Sequence, residues 1–101
     1  MPQSIKVMRM LSCLYEAQGQ LDKAQAILID LIEGNPEDKQ SVKRLVTLYR
    51  DMGWTNEAIV VLNKFIESNQ EDNESWQELA DMYLAKQNYA KAIYCFEEML
   101  L

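Results

Sequence analysis

The chain has 101 residues, 49% of them hydrophobic and 26% charged, with net charge −6, three Gly, two Pro and no His. That length buries one modest core rather than two, and so much apolar content with so little Gly and Pro excludes a linker or a disordered acidic tail. A negative chain is a poor nucleic-acid binder, the lack of His removes the commonest general base and metal ligand, and no apolar run approaches the roughly 18 residues of a membrane span.

The opening MPQSIKVMRML has no long uninterrupted apolar stretch and is read as carrying no signal peptide. Ser4 can accept a first-turn N–H and open a helix over 4–18, with Met8, Leu11 and Tyr15 on one stripe. Gly19 marks a short turn where positive φ is expected, and Leu21, Ala24, Leu28, Leu31 and Ile32 make a second stripe over 21–34. Pro36 after Asn35 stops that helix. Asp38 opens a third over 38–52, Gly53 turns the chain, and a fourth runs over 55–69. Asp72 opens a fifth over 72–86, and the last is expected over 89–101. Cys13 and Cys95 have no metal-ligand or CxxC spacing and read as small apolar residues in a reducing compartment.

These elements repeat. Leu11, Leu45 and Leu79 are 34 residues apart, and so are Tyr15, Tyr49 and Tyr83, and Ala24, Ala58 and Ala92. Leu28, Leu62 and Phe96 keep the period, as do Leu31, Phe65 and Met99, and the cap positions Ser4, Asp38 and Asp72. The turn repeats only in part, through Gly19, Gly53 and then Gln87. The repeated Ala lets two helices approach closely, and the repeated Tyr adds area with a hydroxyl at the solvent margin.

A helix–turn–helix unit of this length with Leu, Tyr, Ala and a closing Pro resembles the tetratricopeptide repeat. The third unit is nearest the pattern, with Trp76, Leu79, Ala80, Tyr83, Tyr89, Ala92 and Phe96 in place. Elsewhere Met8 and Val42 replace the first Trp, Ser12 and Val46 the small residue, Thr55 the second aromatic and Gln70 the Pro. The resemblance implies an all-α solenoid of three helix-turn-helix pairs in a right-handed superhelix, one domain over 1–101 with repeats at about 5–38, 39–72 and 73–101. Beyond the repeat, SVKRL (41–45), EAIVVLNKFIE (57–67) and ESWQELADMYLAKQNYAKAIYCFEEML (74–100) resemble the tetratricopeptide subunits, subunit 2, of the endoplasmic-reticulum membrane protein complex. The likeness runs without a gap from about Lys6 to Leu101. It implies a middle piece of a longer scaffold at the cytosolic face of the endoplasmic reticulum. Such a piece does no chemistry, holds no cofactor or metal, and joins other subunits of a machine that inserts membrane proteins. The alternative is a free-standing adaptor that captures a peptide or helix in its groove.

The resemblance also implies a concave groove lined by the first helix of each unit. Its partner-binding candidates are Lys6 and Arg9, then Lys43, Arg44, Thr47 and Arg50, then Glu74, Gln77, Glu78 and Asp81, with Cys13, Glu16, Asp51 and Leu84 beside them. Residues 69–101 carry two lysines against seven carboxylates, net −5, leaving −1 for residues 1–68. A groove whose sign reverses along its length favours a partner of opposite polarity. The clamp that other tetratricopeptide proteins use for chaperone tails is excluded: where it needs two late cations, this chain has Glu74 and Glu78.

Other motifs fail. NQEDNE (69–74) lacks the Gly and bidentate Glu of a calcium loop, and Glu97 and Glu98 point about 100° apart on a helix. Gly19, Gly34 and Gly53 are isolated and make no phosphate loop, and Met8, Met82 and Met99 read as core filling. At the end of the chain Ile93, Phe96, Met99 and Leu100 are expected to form an open interface. Another helix of a longer chain would cover it there. In the 101-residue chain it would drive homodimerisation, by a two-fold contact or by exchange of terminal helices.

Overall fold

The computed structural model describes residues 4–101. It holds six helices, α1 (Ile5–Ala17), α2 (Leu21–Gly34), α3 (Lys39–Asp51), α4 (Thr55–Ser68), α5 (Asn73–Ala85) and α6 (Tyr89–Met99), and no strand among the described residues. The helices pack as three pairs, α1 with α2, α3 with α4 and α5 with α6, and the pairs join through α2 on α3 and α4 on α5. The result is an all-α solenoid of 44 × 26 × 15 Å.

The within-pair turns are three copies of one device. Gly19 and Gly53 both sit at φ 79°, and Gln87, the third copy, adopts φ 59° without being glycine. In each turn the following amide returns to the carbonyl of the repeated tyrosine: Gln20 to Tyr15 at 2.8 Å, Trp54 to Tyr49 at 2.7 Å and Asn88 to Tyr83 at 2.8 Å. A left-handed residue that lets the chain double back on its last helical turn is what this closure needs.

Helix starts follow the expected caps at two of three positions. The Ser4 and Asp38 side chains accept N–H bonds from Val7 and Ser41. Asp72 makes no such bond; its carboxylate accepts from the Ser75 hydroxyl at 2.6 Å and from Lys39 at 2.9 Å. Asp38 has the same kinds of partner, the Ser41 hydroxyl at 2.7 Å and Arg9 at 3.1 Å, and caps its helix as well. Three further caps add to these. Asn88 accepts from the Lys91 amide at the start of α6, and Asn35 and Asn69, one period apart, donate side-chain bonds to the Leu31 and Phe65 carbonyls at the ends of α2 and α4. Asn69 thus ends α4 where Gln70 replaces proline. The final helix stops at Met99 rather than running to 101, because Leu100 and Leu101 bond back three residues and tighten the last turn.

Ala24, Ala58 and Ala92 are all buried, as the close helix approach within each pair requires, and Leu28, Leu62, Leu31 and Phe65 fill the core beside them. Leu45, Leu48, Leu79 and Met82 are buried between pairs. Met8 and Met99 lie half-buried against this core. α1 buries only Ser12, whose hydroxyl donates to the Arg9 carbonyl at 2.7 Å. Two of the three repeated tyrosine hydroxyls are engaged: Gln25 donates to Tyr49 at 3.2 Å and Asn63 to Tyr83 at 3.3 Å, each bond crossing from one pair to the next. Trp76 is anchored to the inter-repeat turn by its indole N–H, which donates to the Gln70 carbonyl at 2.8 Å.

Candidate functional site

The first helices of the three pairs carry all the residues expected to line the groove. Lys6, Arg9, Lys43, Arg44 and Thr47 converge on one recess of about 550 Å³ between α1 and α3, with Cys13, Glu16, Met10 and Gln40 completing the wall. Arg50, Glu74, Gln77, Glu78 and Asp81 lie outside this recess on α3 and α5.

The charges along this face meet one another. Arg44 pairs with Glu16 at 3.3 Å, Arg50 with Glu78 at 3.8 Å, and Lys43 with Glu74, which also takes Lys39 at 3.2 Å. Arg9 reaches Asp38 at 3.1 Å. All three arginines are therefore tied to carboxylates of a neighbouring pair. The expected sign reversal exists along the chain, but the basic second unit faces the acidic third and neutralises much of it. A groove with unopposed poles is replaced by a laced one, with Lys6 and Asp81 outside these ion pairs among the described residues. Asp81 accepts only the Gln77 amide, at 3.2 Å.

Asp72 shows how strongly the lacing acts. Burial pushes its carboxyl up, but the Ser75 hydroxyl and the Lys39 ammonium, with Lys43 beyond, outweigh burial and hold it below the usual carboxylate range. Burial pushes the Cys95 thiol up, which keeps it protonated and inert. Among the described residues no group of three Cys, Asp or Glu is placed to hold a metal ion, and no helix is long and apolar enough to cross a membrane.

A second recess of about 410 Å³ opens between α2 and α4, lined by Ile29, Ile32, Val60, Val61 and Phe65 with Lys64 and Glu67 at its edge. Nothing in the residue order separates these side chains from core-filling ones; only the fold shows that Val60 is exposed while Phe65 is buried.

A family model, the EMC2 TPR-like repeat domain, matches residues 4–101. The chain belongs to the EMC2 TPR-like repeat family. This is a tetratricopeptide family, so the repeat length, the Tyr–Gly turn and the buried Ala are its shared framework here. No curated protein matches the chain. Solved structures show the same fold. A tetratricopeptide repeat protein from Parabacteroides merdae superposes with TM-score 0.81 at 23% identity, over 94% of this chain and 37% of that one. The TPR2B domain of yeast Sti1 in its pHsp70 complex gives 0.74 at 20%, over 93% and 75%. The first TPR of Spaghetti (RPAP3), bound to the HSP90 peptide SRMEEVD, gives 0.73 at 17%, also over 93% and 75%. This EMC2-like chain therefore spans little more than a third of the Parabacteroides protein.

Proposed function

We propose that this chain is a non-catalytic protein-interaction scaffold, a repeat segment of the tetratricopeptide subunit of the endoplasmic-reticulum membrane protein complex. It acts at the cytosolic face of that membrane, where it holds other subunits in place for membrane-protein insertion. The family match across residues 4–101 carries this reading. On this view residues 1–101 work as one domain with repeats at about 5–38, 39–72 and 73–101, within a longer chain.

Partners engage the face of α1, α3 and α5 that bears Lys6, Arg9, Lys43, Arg44, Thr47, Arg50, Glu74, Gln77, Glu78 and Asp81. Because most of these charges are internally paired, recognition there rests on shape and on hydrogen bonds around a few free groups rather than on a strong field. Chaperone tails are disfavoured, since Glu74 and Glu78 would repel an acidic peptide and are held by Lys43 and Arg50.

Affinity purification of the tagged chain from detergent-extracted endoplasmic-reticulum membranes tests the reading. The other subunits of the complex are expected to co-purify, and to be depleted by Lys6→Glu with Asp81→Lys, which leaves every ion pair intact. Recovery of the subunits unaffected by that double change removes the groove from the proposal. Absence of the subunits altogether removes the complex and leaves a free-standing adaptor.

A further inference from the structure

The ion pairs of this chain keep to one side of it. Every carboxylate in them belongs to a first helix or its cap. Asp22, Asp30, Glu33, Glu57 and Glu67, on the second helices α2 and α4, lie outside these pairs among the described residues. Only Lys23 and Lys64 oppose them on those helices, which together carry net −3, whereas α1 and α3 together carry net +4. The first two pairs are therefore polarised across the solenoid, with the second helices as the acidic side.

On that acidic side lies the apolar cleft of about 410 Å³ between α2 and α4. Ile29 and Ile32 form one wall, Val60 and Val61 the other, and Val42 and Leu45 the floor, with Glu33, Lys64 and Glu67 at the rim. Val60 is 67% exposed. The next junction shows what this cleft lacks. One period on, Val42 and Val60 become Trp76 and Tyr94, whose rings meet edge to face with centroids 6.1 Å apart. Ile29 becomes Asn63, which donates to Tyr83. There a ring from α6 covers the buried tryptophan, whereas two valines are too short to cover the floor in the same way. Repeats contact only their neighbours, and both neighbours of this cleft are already in place. Further repeats at either end would stack on the first or the last pair and leave it open.

We propose that the α2–α4 cleft seats one helix of a partner protein, with large apolar side chains on one face and Lys or Arg beside them. A cleft between two helices offers no strand edge to an extended peptide, whereas a helix pairs its own backbone groups. The α4 wall from Val60 to Ser68 runs about 12 Å at the helical rise, which accommodates anchors at i, i+3 or i+4, and i+7. Those anchors take the place that Tyr94 holds at the next junction, and the flanking cations meet Glu33 and Glu67. A two-fold contact between two such faces, or an anionic lipid surface, fits poorly, because each brings more negative charge to this side. The proposal is independent of which partner occupies the concave face.

Two designed helical peptides test it, with the same Leu and Phe anchors at i, i+4 and i+7 but flanked by Lys in one and by Glu in the other. Calorimetric titration into the 101-residue chain is expected to show the Lys peptide binding about tenfold or more tightly than its Glu twin. In a chain with labelled Ile and Val methyl groups, the Lys peptide should shift the resonances of Ile29, Ile32, Val60 and Val61. Glu33→Lys with Glu67→Lys is expected to invert the preference between the two peptides. Val60→Arg, at an exposed position, should abolish binding of the Lys peptide with unchanged helical circular dichroism. Lys6→Glu with Asp81→Lys should leave this binding untouched, so that loss of the concave-face reading and loss of this one are told apart. Equal binding of the two peptides, a Val60→Arg chain that binds like the native one, or methyl shifts confined to α1 or α6 would each overturn the proposal.

Discussion

α1 and α3 are the same helix written twice, one period apart, yet α3 buries six residues and α1 only Ser12. Their stripes are alike: Leu11 and Leu45, Leu14 and Leu48, Tyr15 and Tyr49. The difference is the neighbour, since α3 receives α2 on the face that α1 leaves open. The positions that face the partner within a pair do not share this fate, and Ala24, Ala58 and Ala92 are buried in every copy. A repeat protein therefore has two kinds of core position. One is complete within the unit, and the other exists only between units.

The largest expected effect sharpens this division. Leu48→Ala removes a fully enclosed side chain between pairs and should cost about 2–5 kcal/mol, while Leu14→Ala at the equivalent open position should stay within about 0.5 kcal/mol. Chemical denaturation of both variants at low protein concentration reads the contrast, and equal losses would erase it. Next comes the position that every unit completes for itself. Ala58→Leu overpacks the α3–α4 contact and should destabilise by about 1–3 kcal/mol in a thermal melt, and Ala24→Leu should do the same in the outer unit. A tolerated Ala24→Leu beside a damaging Ala58→Leu would show that even the within-pair contact depends on neighbours.

A smaller effect separates the turns. Gln87 occupies the left-handed conformation that Gly19 and Gly53 occupy, so Gln87→Gly should stabilise the chain by about 0.5–1 kcal/mol and Gly53→Ala should cost about 1 kcal/mol. A Cβ at Gly53 meets open space, so the cost of Gly53→Ala is conformational rather than steric.

The smallest effect concerns acid. Asp72 has a folded-state pKa lowered below its ordinary value, so its contribution is present above about pH 4 and lost as pH falls through the folded value. Asp72→Asn should therefore lower the melting temperature at neutral pH and narrow the gap to the native chain as pH falls below that point. A gap that is constant with pH would mean that the Ser75 hydrogen bond within the third pair, rather than the charge facing Lys39, carries the contribution of Asp72.

The units also differ in how they dress the repeated tyrosine. Lys23 lies 5.4 Å from the Tyr15 ring centroid and Lys91 5.5 Å from that of Tyr83, while in the middle unit Glu57 stands at the lysine position and Tyr49 stacks on Trp54 at 5.9 Å instead. One framework position accepts a cation or an aromatic ring, because either covers the face of the tyrosine.

Helix ends, turns and the within-pair core were legible from the amino-acid order because their causes are local. A left-handed residue after a tyrosine, an Asp or Ser before a stripe, and an alanine at the closest approach act within a few residues or within one 34-residue unit. The family likeness was legible for the same reason, since the whole pattern from Lys6 onward is linear. What the tertiary structure decided is which charges meet. Glu16 finds Arg44 across 28 residues and Arg50 finds Glu78 across another 28, and no local rule distinguishes these from charges that face water. Only the distance and offset between successive first helices turn an apparently polarised groove into a laced one. That same offset brings Lys39 of the second pair to Asp72 at the head of the third, and it leaves Leu14 exposed where Leu48 is enclosed. Burial and ion pairing are properties of two surfaces at a given separation, whereas the order of residues along the chain specifies each surface alone.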